Sequence, residues 1–375
     1  MVQIINSEQL DFNDVLIVPQ ATTINHRGEV DIVRKFKNID LNCCPIMNAN
    51  MTQTGTFKVA EKMVKNKMIG AFHKFYTAEE IINFFAEYSD GKQYFVTVGL
   101  RNKGQEIERL KKLHNYNFSI LIDVPNAYIP DVEAFVKEIR YSFPTKIIAV
   151  GNVCTAERTQ ELIRAGANAI KIGVGPSAVC RTRHTTGVGR PQLSAIMDCA
   201  NAAHQVGGII IADGGFNTIG DFCKAFVAGA DICMSGCFFA GCDEAAGEII
   251  TKIYETNEFT GTWVDNQGYY HSTEDGIDKD TFVGLTEKQR KHEIKYFKEY
   301  YGMSSFRAQQ ENYGEKTKTG TSEGVESKLV PYTGPIIDTI NNIKGGLRSC
   351  GSYIGASNIK YFSRQGSFYK VNRIQ

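Results

Sequence analysis

The segment GVGPSAVCRTRHTTGVGRPQ, residues 173–192, sets one cysteine, Cys180, among Arg181, Arg183 and His184. Cations beside a thiol favour its thiolate, and the thiolate is the nucleophilic form. The chemistry these residues suggest is therefore covalent catalysis by sulfur. A chance cysteine in a polar loop stays open as the alternative. Gly173 and Gly175 in the same segment permit positive φ and a close approach of backbone to a ligand or an ion. Asp213-Gly214-Gly215 and Ser235-Gly236 form two further glycine-bearing turns, able to hold an anion on backbone N–H groups or simply to turn the chain tightly. Lys74 and Asp123 complete the candidates. Their plain readings are a solvated lysine and a helix-start acceptor.

What must position these residues is a series of short apolar runs. They are Cys44 to Asn48, Met68 to Phe72, Tyr94 to Val98, Ser119 to Val124, Lys146 to Val150, Ala169 to Gly173, Gly208 to Ala212 and Asp231 to Ser235. Several are apolar on both faces, as parallel strands buried on both sides require. Helical spacing fills the intervals, as in 56–65, 155–165, 195–206 and 219–228, the last three followed by glycine. Eight such βα units predict an α/β fold: a single (β/α)8 TIM barrel covering residues 1–375. An open doubly wound sheet is the rival, and it usually needs fewer strands and an early glycine-rich turn. In a barrel, chemistry sits just past the C-terminal ends of the strands. That rim would hold Asn50, His73, Lys74, Gly99, Asp123, Asn126, Gly151, Asn152, the 173–192 loop, Asp213 to Gly215 and Gly236.

One interval breaks the rhythm. Residues 251–298 are polar and show no clear strand period, so they read as an insertion after the eighth strand. Within it, NQGYYHSTEDGIDKD predicts a turn-rich loop, and EKQRKHEIKYFKEYY (287–301) predicts a charged helix. Residues 299–330, with the small polar stretch GEKTKTGTSEG, read as a mobile flap. Order returns in a last helix at 335–343.

Composition bounds the rest. Net charge is +1, and no basic block could track a nucleic acid backbone. No apolar run reaches membrane-spanning length, and the first residues lack the apolar core of a signal peptide. Ten cysteines without a CxxC pair read as reduced thiols of a cytoplasmic protein rather than a disulfide or zinc framework.

The stretch KIGVGPSAVCRTRHTTGVGRPQLSAIMDCANAAH resembles the catalytic loop of the IMP dehydrogenase and GMP reductase family. DFNDVLIVP, IMNANMTQTGTF, His73-Lys74 and IADGGFNTIGDFCKAFVAGAD carry the same resemblance, in the same order. YGMSS at 301–305, the YIGASNIKYFSRQGSFYKV ending and the lack of both CBS modules and a flap Arg-Tyr dyad favour the reductase branch. The resemblance implies NADPH-dependent reductive deamination of GMP to IMP and ammonia, in purine nucleotide salvage, through a thioimidate on Cys180. It implies catalytic roles for Cys180, Thr182, Glu323, Lys74 and Asp123. It assigns substrate binding to Asp213, Gly214, Gly215, Gly236, Met303 and Ser304, and cofactor binding to Lys74, Ser304 and Ser305. A potassium ion on backbone carbonyls of Gly175, Ser177 and Cys180, and a homotetramer, are implied too. The alternatives are an NAD-dependent IMP dehydrogenase, a reductase acting on a modified or deoxy purine nucleotide, and a nucleotide-binding protein without turnover. Four departures cluster around nucleotide binding. Ser177 and Ala178 stand where the family reads Gly-Ser, Cys237 where a second glycine is common, and Gly320 where a flap arginine is expected.

Overall fold

The computed structural model describes residues 4–5, 7–264, 270–272, 285–314 and 321–371, and among these the side chains outside 255–292. Gly320 and most of the predicted turn-rich loop lie outside the described residues. Eight parallel strands form one sheet: Ile46–Asn48, Gly70–Phe72, Tyr94–Val98, Ser119–Asp123, Ile148–Val153, Ala169–Ile172, Ile209–Asp213 and Ile232–Ser235. Each pairs with its sequence neighbour, and the eighth pairs back onto the first through Ser235 and Asn48. A bridge between Met47 and Ile69 closes the ring between strands one and two. The fold is the (β/α)8 barrel, and all eight apolar runs are its strands.

Strand parity explains the core. Ala169, Leu121, Ile209 and Ile211 project into the barrel and pack with Met47, Phe95 and Met234. Their neighbours Ile170, Ile172, Ile120, Ile122 and Ile210 project outward and pack under the helices. Helices follow the strands at Phe57–Lys65, Ala78–Tyr88, Lys103–Lys112, Pro130–Ser142, Ala156–Arg164, Gln192–Gln205 and Ile219–Val227. Capping is local and explicit: Thr77 accepts from the Glu80 amide while Glu80 accepts from the Thr77 amide.

The predicted last helix is longer than its apolar pattern suggested. It runs Ile336–Tyr353, through Gly345 and Gly346, because Ile336, Ile340, Ile343 and Leu347 keep one buried stripe across them. It completes the eighth βα unit, separated from its strand by some hundred residues.

The interval between them overturns two expectations. Residues 287–301 do not form a charged helix, and 251–298 is not without strands. Ile250–Val264, Tyr270–Ser272, Leu285–Tyr300 and Lys328–Pro331 build a four-stranded antiparallel sheet. Ile294, Phe297 and Tyr301 do repeat at helical spacing, hence the misreading. Pairing on both edges prevails: Ile294 faces Ile253, and Phe297 sits between Ile250 and Pro331. At its barrel end the strand alternates, with Lys298 and Tyr300 buried and Phe297 and Glu299 half-buried. Among the described residues, no helix is long and apolar enough to cross a membrane. All ten cysteines are free.

Candidate active site

Strands four, six and seven end in a charged triplet inside the barrel mouth. Lys171, 4 % exposed, places its Nζ 2.7 Å from Asp123 Oδ1 and 2.7 Å from Asp213 Oδ2. Asn152 from strand five donates to Asp213 Oδ2 at 2.9 Å and to the Gly173 carbonyl at 2.7 Å. Burial alone would raise the Asp123 carboxyl, but the Lys171 and Lys74 ammonium groups outweigh it and hold the carboxyl below its usual range. Desolvation works against the charge on Lys171, and its two carboxylates more than offset that, so it stays protonated. Lys171 was missed in the sequence, although its type was a signal: it is the one charged residue in the buried strand Ala169–Ile172, on the inward parity.

Lys171→Met is therefore expected to destabilise the fold by about 3 kcal/mol, the lower end for a broken buried pair. The lower end applies because the Asp123 and Asp213 side chains are 26 % and 20 % exposed. In the native protein Asp123 is held below its unfolded value. Its contribution is present above the unfolded pKa of about 3.9 and is lost as pH falls through the lower folded value. Without Lys171 that contribution disappears, so the stability gap between variant and native protein should be full at neutral pH and close in acid. Thermal unfolding across pH measures this, and a gap unchanged in acid would contradict it.

The loop after strand six carries Cys180 to the same mouth. Gly173 is required there: a side chain would meet the Asp213 carbonyl oxygen at 2.3 Å. The Cys180 backbone pairs antiparallel with Gly324, through Arg181 N–H to Glu323 O at 2.7 Å and Val325 N–H to Val179 O at 2.9 Å. This short ladder fixes the side chains beside it. Cys180 Sγ lies 3.2 Å from Thr182 Oγ1, whose hydroxyl donates to Glu323 Oε2 at 2.8 Å. The threonine has one proton and gives it to Glu323, so the thiol is the donor to Thr182. A proton can thus pass from sulfur through Thr182 to a carboxylate.

Of the cations flanking Cys180 in sequence, Arg183 is engaged elsewhere, which corrects that part of the sequence reading. Arg183 turns to the Val174 and Arg190 carbonyls and to Asp11 Oδ2, the last at 3.4 Å. Arg181 and His184 are exposed. The group the loop presents to the sulfur is the Thr182–Glu323 pair.

A cavity of about 220 Å³ joins these parts. Asp123, Lys171, Cys180, Thr182, Asp213, Gly214, Gly236, Ser177, Met303, Ser304 and Glu323 line it. Tyr300 closes one wall. It is buried, its hydroxyl lies 3.1 Å from Met51 Sδ, and a side chain at Gly236 would meet that oxygen at 2.1 Å. Two predicted residues, Gly215 and Ser305, fall outside the cavity lining, as does the departure at Cys237. Gly215 faces Phe12, Pro176 and Gln192 behind the loop. Ser305 is fully buried and accepts the Ala308 amide at 3.1 Å as the cap of helix Phe306–Tyr313, so it orients Ser304 rather than meeting a ligand. Cys237 lines an outer groove. The Ser177 carbonyl, one of the three assigned to potassium, also accepts the Cys180 amide at 3.0 Å. His73 is stacked on Tyr76, and burial pushes its pKa down to about 4, which leaves it neutral.

A second cavity, of about 450 Å³, shares Lys74, Asp123, Met303 and Ser304 with the first. Phe75 and Tyr313 meet edge to face at 5.5 Å in its wall, with Lys74 and Arg101 over the Tyr313 ring. Gln309 donates to the Ser304 carbonyl, but its own Oε1 is buried without a partner. A cavity with aromatic walls, two cations and an acceptor left open fits a nicotinamide cofactor, whose carboxamide brings an N–H donor.

The fold and this site define an oxidoreductase of barrel type, with a cysteine thiol hydrogen-bonded to a Thr–Glu pair and two adjoining cavities at the C-terminal rim. A sequence profile of the IMP dehydrogenase / GMP reductase domain matches residues 9–263 and 281–374. The chain belongs to that family. It is 37 % identical over 371 residues to a protein named GMP reductase from Buchnera aphidicola, covering 97 % of this chain and 95 % of that one. It is 36 % identical to a GMP reductase from Phytophthora infestans, covering 97 % and 91 %, and 35 % identical to one from Vibrio atlanticus, covering 97 % and 95 %. The stretch the profile leaves unmatched, 264–280, is narrower than the 251–298 insertion read from the sequence.

Proposed function

We propose that this enzyme is a GMP reductase, converting GMP and NADPH to IMP, ammonia and NADP⁺, with a role in purine nucleotide salvage. The observation that carries this reading is the Cys180–Thr182–Glu323 chain, because it pairs a nucleophile with a proton store. Cys180 gives its proton through Thr182 to Glu323, and its sulfur adds to C2 of the purine. Glu323 returns a proton to the 2-amino group, the C2–N bond breaks, and ammonia leaves a thioimidate. The reduced nicotinamide supplies hydride at C2. The C2–S bond then breaks, its electrons return to sulfur, and the thiolate is reprotonated. Asp123 and Lys74, lining both cavities, orient the two ligands against each other.

Asp213 and the glycine turns at 214 and 236 hold the nucleotide, and Met303 and Ser304 meet base and cofactor. Ser177 and Tyr300 keep two hydroxyls at the cavity where Ala178 offers none. Homotetramer assembly belongs to the same proposal. The test is an assay with GMP and NADPH, measuring nicotinamide absorbance and ammonia together. Equimolar NADPH loss and ammonia release are expected. NADH formed from IMP and NAD would replace this reading with the dehydrogenase. Nucleotide binding with neither reaction would replace it with a binding protein.

Gln309→Leu is expected to raise the KM for NADPH by about tenfold, the effect of one lost hydrogen bond to a buried acceptor, while the KM for GMP moves little. Steady-state kinetics with each substrate varied in turn would check this. Equal effects on both would contradict it.

A further inference from the structure

The opposite end of the barrel carries a second charged cavity, of about 540 Å³. Five cations line it: Arg34, Lys35 and Lys37 from the chain entering the barrel, and Lys360 and Arg364 from its C-terminal region. The whole protein has a net charge of only +1, so this concentration is local. One carboxylate shares the lining, Asp231, and it is fully buried and already engaged. Arg34 Nη2 lies 2.5 Å from it, His204 Nε2 2.8 Å, and the Ile210 amide 2.9 Å. Asp231 thus anchors Arg34 and His204 at the base of the cavity, and its single negative charge is already matched by Arg34. Lys35, Lys37, Lys360 and Arg364 make no ion pair among the described residues.

Uncompensated like charges round one concavity repel and destabilise the fold, unless an anion joins them. The N-terminal rim of this fold ordinarily contributes stability alone, so a cationic pocket there points to a ligand. Its walls are also partly aromatic: Lys360 stands 4.8 Å over the Tyr361 ring and Arg34 4.8 Å over Phe36. We propose that this cavity is a binding site for a polyphosphate-bearing anion, separate from the Cys180 site and independent of the reaction proposed there. The shared chemistry is a chain of phosphates gripped by several Lys and Arg side chains, and the source is either a nucleoside triphosphate or inorganic polyphosphate.

Isothermal titration of the full-length protein with inorganic tripolyphosphate, and separately with GTP, tests this. Lys37→Glu/Arg364→Glu reverses two exposed charges that make no ion pair among the described residues, and should weaken both ligands by roughly tenfold or more while leaving the Cys180-dependent activity unchanged. Equal native affinity for the two would make the phosphates the whole determinant. Tighter GTP binding that Tyr361→Ala removes would add the base. The proposal fails if the native protein takes up neither ligand, or if the double charge reversal leaves their binding as it was.

Discussion

Cys180→Ala should abolish turnover, lowering kcat by roughly 10⁴-fold or more, while nucleotide affinity stays close to native. The sulfur is the one atom in the cavity placed both to bond carbon and to shed a proton into Thr182 and Glu323. Removing it deletes the covalent route and leaves no substitute nucleophile, because the other cysteines are buried in the barrel walls or lie away from this cavity. Burial pushes the Cys43, Cys44 and Cys199 thiols up to about 12, so they cannot stand in. Binding should survive, because the residues proposed to hold the nucleotide, Asp213, Gly214 and Gly236, line the cavity independently of the sulfur. Equilibrium binding of GMP beside initial rates would separate the two effects. Residual activity within tenfold of native would contradict the covalent role.

Glu323→Gln should carry the next largest effect, slowing the ammonia-releasing half of the reaction by roughly 10²- to 10³-fold. A glutamine oxygen can still accept from the Thr182 hydroxyl, so the 2.8 Å contact and the ladder to Cys180 persist. What disappears is a group able to take the thiol proton and hand it to the leaving amine. Hydride transfer needs no such group and should slow far less. Rapid-quench measurement of ammonia release from GMP, against stopped-flow measurement of NADPH formed from IMP and NADP⁺, separates the halves, because the second reaction reaches the thioimidate without ammonia. Equal slowing of both would assign Glu323 a structural role in the loop, not a proton-transfer one.

The barrel was legible because its strands are buried on both faces and read as apolar runs whatever surrounds them. Most of the rim followed from where those runs end, as with Lys74, Asp123 and Asp213. The sulfur's environment followed only from the family resemblance, which named Thr182 and Glu323, and not from local spacing, because residues 141 positions apart in sequence make it: Thr182 meets Glu323 through the ladder between the Cys180 and Gly324 segments. One cation near it in sequence, Arg183, pointed elsewhere once the loop folded. Lys171 was hidden inside an apolar run, yet the inward parity it shares with Asp123 and Asp213 would have exposed it. The antiparallel sheet was illegible for a different reason. Its long strands take their conformation from pairing partners, and Ile294, Phe297 and Tyr301 satisfy a helical period equally well.

Cys180 as the residue that bonds the purine is tested most directly by quenching the enzyme in acid during turnover with GMP, then mapping its peptides by mass. A purine nucleotide adduct should appear on the peptide carrying Cys180 and vanish when GMP is omitted. An adduct on any other residue, or none in a protein that is consuming NADPH, would contradict it.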